Sequence, residues 1–133
     1  IVGHHMDSHQ RTELPLTALK TAIKQRNPAS GLLHHSDRGS QYLSEEYLGT
    51  LQRHQLRSFL NVAGTCLDNA VVESFFSSLK QECVYRDPFK SKLEEKEQIV
   101  YYIKKFYNSK RQHSTNNGLS PMEFEHRFRC QKT

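Results

Sequence analysis

Asp37 and Glu73 are the two acids of this sequence whose surroundings suit chemistry. Asp37 lies in His35-Ser36-Asp37-Arg38-Gly39-Ser40-Gln41-Tyr42, directly after Leu32-Leu33, so a short buried strand there would present its carboxylate at the strand's C-terminal end. Glu73 lies in Asp68-Asn69-Ala70-Val71-Val72-Glu73-Ser74-Phe75-Phe76. Val72, Phe75, Phe76 and Leu79 recur there at helical spacing, and Glu73 is the one acid among them. The 35 residues between the two acids are enough for a helix, a short strand and a loop, so the side chains can meet in space. A shared metal would explain the meeting. Magnesium takes oxygen ligands in octahedral geometry, usually one or two carboxylates with water and substrate phosphate, and two such ions together clamp an in-line phosphoryl displacement. Taken alone, the pair has a plainer reading, in which Asp37 caps a turn ending at Gly39 and Glu73 is a solvated helix residue.

The segments HSDRGSQY and DNAVVESFF resemble the second and third motifs of insertion-sequence transposases with a retroviral-integrase-like DDE core. The resemblance runs from Ile1-Val2-Gly3 through Tyr107-Asn108 and Arg111-Gln112-His113-Ser114 to Leu119-Ser120-Pro121, nearly the whole chain. It implies an α/β fold, a ribonuclease H-like integrase core, whose three acids hold two divalent ions, Mg2+ or Mn2+, and run DNA strand cleavage and strand transfer. By motif, Asp37 is the second acid and Glu73 the third. The family's first acid stands on the opening strand, ahead of the Ile-Val-Gly segment. The resemblance therefore implies an N-terminally incomplete core, its first strands absent, that is inactive by itself. Asp7 matches no motif position and reads as a surface residue.

Beside the acids, Arg38 and Gln41 are candidates to orient the strand or substrate, while Asp68 and Asn69 support the site by fixing where the Glu73 helix starts. In the loop before Gly64 the relatives carry Arg or Lys where this chain has Val62 and Ala63, and Leu67 stands where they place an aromatic residue. The implied partners are mobile-element ends and target DNA. A sheet edge left open would recruit a second copy, so a homo-oligomer is expected. Three alternatives remain open: a nuclease of the same fold, a non-catalytic module that binds DNA or a transposase subunit, and an inert remnant that does neither.

The elements that must position these residues are legible in outline. Ile1 to Met6 suits a strand, and the adjacent pairs His4-His5 and His34-His35 would point to opposite faces, which argues against a shared metal. Thr12 is placed to cap a helix with the stripe Leu16, Leu19 and Ile23, stopped by Asn27-Pro28. Ser44 caps a second, with Glu45 and Glu46 in its first turn and Tyr47, Leu48 and Leu51 facing inward. Leu56 to Val62 follows as a short strand, and a loop at Gly64-Thr65 leads to Asp68, placed to cap the Glu73 helix. Pro88 separates that helix from a long one. The long helix opens with a capping-box pattern at Ser91-Lys92-Leu93-Glu94 and carries the stripe Ile99, Ile103, Phe106 and Tyr107. Tyr102 and Tyr107 on such a face read as core in preference to base-stacking platforms. Asn117-Gly118 marks a turn, and Ser120-Pro121-Met122-Glu123 repeats the capping box ahead of a short terminal helix.

With 133 residues, the chain has room for one domain, 1–133, with a basic helical segment from about 91. Its 19 basic residues exceed its 14 acidic ones, and all of the excess lies beyond residue 73, where twelve basic residues face seven acidic ones. Lys104, Lys105, Lys110 and Arg111, with no acid among them, form the densest cluster and the candidate DNA-binding surface. Cys66, Cys83 and Cys130 are odd in number and widely spaced, against a disulfide framework or zinc ribbon and in favour of a reducing, cytoplasmic setting. No apolar run is long enough to span a membrane, so no membrane partner is expected.

Overall fold

Leu16, Leu19 and Ile23 repeat at the three- to four-residue spacing that turns one helix face inward, and all three are buried on helix α1, Glu13–Arg26. The computed structural model describes residues 1–9, 11–60, 70–86 and 88–131. It forms two compact units, one running Val2–Ser74 and the other from Phe75 onward together with Ile1.

In the first unit, α1 ends at Asn27, whose left-handed backbone (φ 41°) lets its N–H return to the Ile23 carbonyl. Its start corrects the expectation for Thr12. That residue already has helical angles and makes no side-chain cap bond, leaving Glu13 as the group that favours this end. Strand β1, Leu33–Ser36, pairs in parallel with β2, Arg57–Leu60, Leu33 opposite Arg57 and His35 opposite Phe59. Between them a 3-10 turn at Ser40–Tyr42 leads to α2, Glu45–Arg53, so the pair is a strand-helix-strand crossover. Ser44 caps α2 by accepting from the Tyr47 N–H. The buried face of α2 is Tyr47, Thr50 and Leu51; Leu48, expected inward, is exposed because each residue turns the helix by about 100° and puts it beside the stripe. Thr50 can be buried because its hydroxyl donates to the Glu46 carbonyl at 2.8 Å. Leu16, Leu19, Ile23, Tyr47, Leu51 and Leu56 make one core.

The strand after Leu32 is where the sequence puts it, but its apolar residue is not buried. Leu33 is 45% and Phe59 49% exposed. Alternation explains this: His34 turns toward Tyr47 on α2, so Leu33 and His35 take the other face, where the His35 ring lies 5.3 Å from Phe59. The adjacent histidines are thus on opposite faces. Ile1 to Met6 is not a strand. Gly3 instead abuts α1 so closely that a Cβ there would run into the Ala18 carbonyl oxygen and lie 2.8 Å from the Ala22 backbone nitrogen. Gly3→Val is expected to destabilise this unit by about 1–3 kcal/mol, because backbone atoms must move to admit the side chain. Thermal melting checks this, and an unchanged midpoint would contradict the close approach.

Helix α3, Ala70–Leu79, begins in the first unit and from Phe75 belongs to the second, where it runs into a π-helical turn at Lys80–Val84. Of its expected stripe only Phe75 and Leu79 are buried; Val72 and Phe76 are exposed. Helix α4, Lys92–Tyr101, is capped by Ser91 Oγ, which accepts from the Glu94 N–H at 3.1 Å. The return arm of the expected capping box misses by one residue, since Glu94 Oε2 accepts from the Lys90 N–H. α4 continues as a π-helical turn, Tyr102–Tyr107, which buries Tyr102, Ile103 and Tyr107. The extra residue per π turn shifts the stripe, so Phe106, expected inward, is 41% exposed. Tyr107 packs edge-on against Phe75 (4.9 Å) and His113 (5.0 Å). After a left-handed Asn117-Gly118 turn (φ 56° and 76°), α5, Pro121–Cys130, opens with the complete capping box: Glu123 Oε2 accepts from the N–H of fully buried Ser120, whose hydroxyl accepts from the Glu123 N–H. Asn108 ties this unit together. Its side-chain amide donates to the Ile1 carbonyl and its own carbonyl accepts from Met122.

Candidate functional site

Asp37 follows the last residue of β1 directly, so the strand delivers an exposed carboxylate at its C-terminal end. Its Oδ1 accepts from the Gly39 N–H at 2.8 Å, the turn-capping arrangement that local chemistry favours for Asp. That bond orients the group without consuming it. Gly39 is required here for close approach, since its φ of −57° suits any residue but a Cβ would lie 2.9 Å from Asp37 Oδ1 and 2.8 Å from Gln41 Nε2. The structure thereby brings Asp37 and Gln41 together around one glycine, while Arg38 is simply exposed. Gly39→Ala displaces only the mobile ends of these two side chains. It is expected to leave the melting point in place and, on the metal-ligand role that the resemblance implies for Asp37, to lower activity by about 10–100-fold by shifting that carboxylate. An unaltered rate would remove Gly39 from this role.

Beside Asp37 lie groups to which sequence patterning gave no role in the site. Tyr42 is half-buried, and burial, with the Asp37 charge adding to it, pushes its phenol pKa up. Tyr42 stands edge-on to Tyr47 at 5.3 Å, and the Tyr47 hydroxyl shares a 3.1 Å hydrogen bond with His34 Nε2. Only the tertiary pairing of β1 with α2 brings these together; the spacing of His34 and Tyr47 carries no signal of its own.

Glu73 is exposed in the first turn of α3, where a negative charge suits the helix dipole. Asp68 and Asn69, with Val62, Ala63, Gly64, Cys66 and Leu67, lie outside the described residues. Asp37 and Glu73 both belong to the Val2–Ser74 unit, and no hydrogen bond or ion pair joins them among the described residues. Nor, among those residues, do three His, Cys, Asp or Glu side chains converge as metal ligands do. Two solvent-facing carboxylates, one of them oriented by a backbone N–H, are nevertheless the donor type that Mg2+ or Mn2+ takes.

Of the basic cluster, Lys104, Lys105 and Lys110 are exposed. Arg111 has another partner. Its Nε lies 2.9 Å from both Glu82 oxygens and its terminal nitrogen donates to Oε1 at 2.7 Å, while the Tyr102 hydroxyl donates to Oε2 at 2.6 Å and the guanidinium lies over the Tyr107 ring. A planar fork against a carboxylate is the geometry Arg is built for. Arg111 therefore clamps the two π-helical segments, a use hidden from a charge count.

The clamp has a pH consequence. The Arg111 hydrogen bonds, and then that of Tyr102, hold the Glu82 carboxyl below its ordinary 4.5 despite burial. Its stabilising contribution is thus present above 4.5 and is lost as pH falls through the depressed value. His113, with Nε2 buried and no partner among the described residues, is held below its ordinary 6.5, chiefly by burial. The unfolded chain then takes up this proton first, so its contribution is complete above 6.5 and declines as pH falls from there to the folded pKa. The second unit should lose stability in two steps on acidification. Glu82→Gln should flatten the lower step alone, as measured by denaturant midpoints across pH.

Two family models, both described as integrase core domain, match residues 1–66 and residues 73–128. Among curated relatives, the chain is 39% identical over 127 residues to transposase InsF for insertion sequence IS3A of Escherichia coli (strain K12), covering 96% of this chain and 44% of the relative. It is 40% identical over 125 residues to InsF for insertion sequence IS3fB of the same strain, covering 94% and 43%. An insertion element IS600 uncharacterized 31 kDa protein of Shigella sonnei is 37% identical over 128 residues, covering 96% and 47%. The chain thus spans less than half the length of each of these relatives.

Proposed function

The chain belongs to the integrase-core family of insertion-sequence transposases, and on that premise we propose that it supplies Asp37 and Glu73 as two of the metal-binding acids for moving DNA by phosphoryl transfer. The observation that carries this reading is Asp37 itself: a motif-matched acid at a strand's C-terminal end, exposed, with one oxygen held by the Gly39 N–H and the other left for a ligand. A divalent ion, Mg2+ or Mn2+, would be held by Asp37 and Glu73 and supply Lewis acidity at the phosphate. Asp37 is pre-set by its turn, Gln41 lies beside it to orient the strand, and Lys104, Lys105 and Lys110 offer charge to the DNA backbone. On this reading the core is ribonuclease H-like, its DNA partners are the ends of the mobile element and its target, it acts as a homo-oligomer, and it works in the cytoplasm. No helix among the described residues is long and apolar enough to cross a membrane.

The family's first acid has no motif match within these 133 residues, so a polypeptide limited to them is expected neither to cleave nor to join DNA. A second reading rests on the exposed lysines Lys104, Lys105 and Lys110 alone: a module that binds DNA or a transposase subunit without catalysis. Labelled element-end DNA incubated with the protein and Mg2+ or Mn2+ separates the possibilities. Joined product supports transposition, hydrolysed ends alone support a nuclease, and binding without either supports the non-catalytic module.

A further inference from the structure

We infer that the concave surface on α4 holds an unpaired nucleotide, its base stacked on Tyr101 and Phe106 and its phosphate facing Arg86; the inference rests on the DNA reading above. The cavity, about 700 Å³, is formed by α4, its π-helical continuation and the segment that follows α3, and lies wholly within the second unit. Phe89, Tyr101 and Phe106 provide aromatic walls, and Arg86, Glu94 and Gln98 provide the polar groups. That volume falls within the range of about 300–1,000 Å³ typical of sites for small organic ligands.

Three observations favour a nucleotide over another occupant. First, the aromatics are not spent on the core: Tyr101 is 64% and Phe106 41% exposed, in contrast to the buried Tyr102 and Tyr107 of the same segment. An exposed ring beside a cavity is a stacking surface, and stacking accepts any base because every base has a π-face. Second, exposed Arg86 lines the cavity, so a phosphate at its mouth meets a guanidinium. Glu82, which also borders the cavity, is already neutralised by Arg111. Third, the Glu94 carboxylate and the Gln98 amide match the amino-bearing edges of adenine and cytosine better than that of thymine. Unpairing costs least where the strand is already open, so the site would select single-stranded or frayed DNA over duplex.

The test is a fluorescence titration of the protein with a short single strand carrying one 2-aminopurine, alongside a blunt duplex of the same length. Binding is expected to quench the probe. Tyr101→Ala and Phe106→Ala should each weaken single-strand binding by about 5–100-fold and abolish the quench, with duplex affinity held within about twofold. Tyr101→Phe, which keeps the ring, should preserve both, and the melting point of Tyr101→Ala reports that the fold is intact. Unchanged affinity and quench in Tyr101→Ala would overturn the inference. So would a variant that alters the sedimentation of the DNA-free protein while keeping single-strand affinity, since the cavity then belongs to a second copy of the chain. A protein that binds duplex but not the single strand defeats this inference alone, whereas one that binds neither defeats the DNA reading beneath it.

Discussion

Asp37→Asn and Glu73→Gln, made singly in the protein that carries this chain, should each lower strand transfer by about 10³-fold or more, the upper end of what removing one charge-stabilising group costs. Each substitution keeps the shape of the side chain and removes its charge, and a neutral amide is a poor ligand for a hard divalent ion. Both residues are exposed, and surface changes usually shift stability by less than about 0.5 kcal/mol, so the melting point should stay where it is. A strand-transfer assay run beside thermal melting therefore separates loss of chemistry from loss of fold. Retained activity in both variants would reduce Asp37 to a turn cap and Glu73 to a solvated helix residue.

Replacing Lys104, Lys105 and Lys110 together by Gln should weaken DNA binding by about 10²–10³-fold near 0.1 M salt, if each lysine neutralises one phosphate. Each such contact releases a counterion, so the slope of log affinity against log salt should fall by about 0.9 per lysine, or about 2.7 for the three. The loss should be the same for every sequence, because phosphate contacts position the duplex and carry no base information. Arg111→Gln provides the contrast. Its guanidinium is committed to Glu82, so its loss should cost about 1–2 kcal/mol of stability, allowing for partial exposure, and leave the salt slope alone. A triple-lysine variant with an unaltered slope would move the DNA-binding surface elsewhere on the chain.

The sequence by itself determined the features that depend on neighbours along the chain. The stripe of α1, the caps at Ser44 and Ser120, the turn at Asn117-Gly118 and the opposed faces of His34 and His35 all follow from local hydrogen bonding and from the periods of helix and strand. The placement of Asp37 at a strand end was legible for the same reason. Tertiary structure decided what depends on which surfaces meet. Leu33 is open to solvent because strand alternation gives the face toward Tyr47 on α2 to His34, a fact that no apolar pair can announce. Phe106 is turned out and Tyr102 turned in because a π-helical turn adds a residue that regular spacing does not count. Arg111 leaves the basic cluster because Glu82, 29 residues away in sequence, stands within 2.7 Å in space, and a bidentate bond to a partly buried carboxylate outweighs solvation of a lone guanidinium.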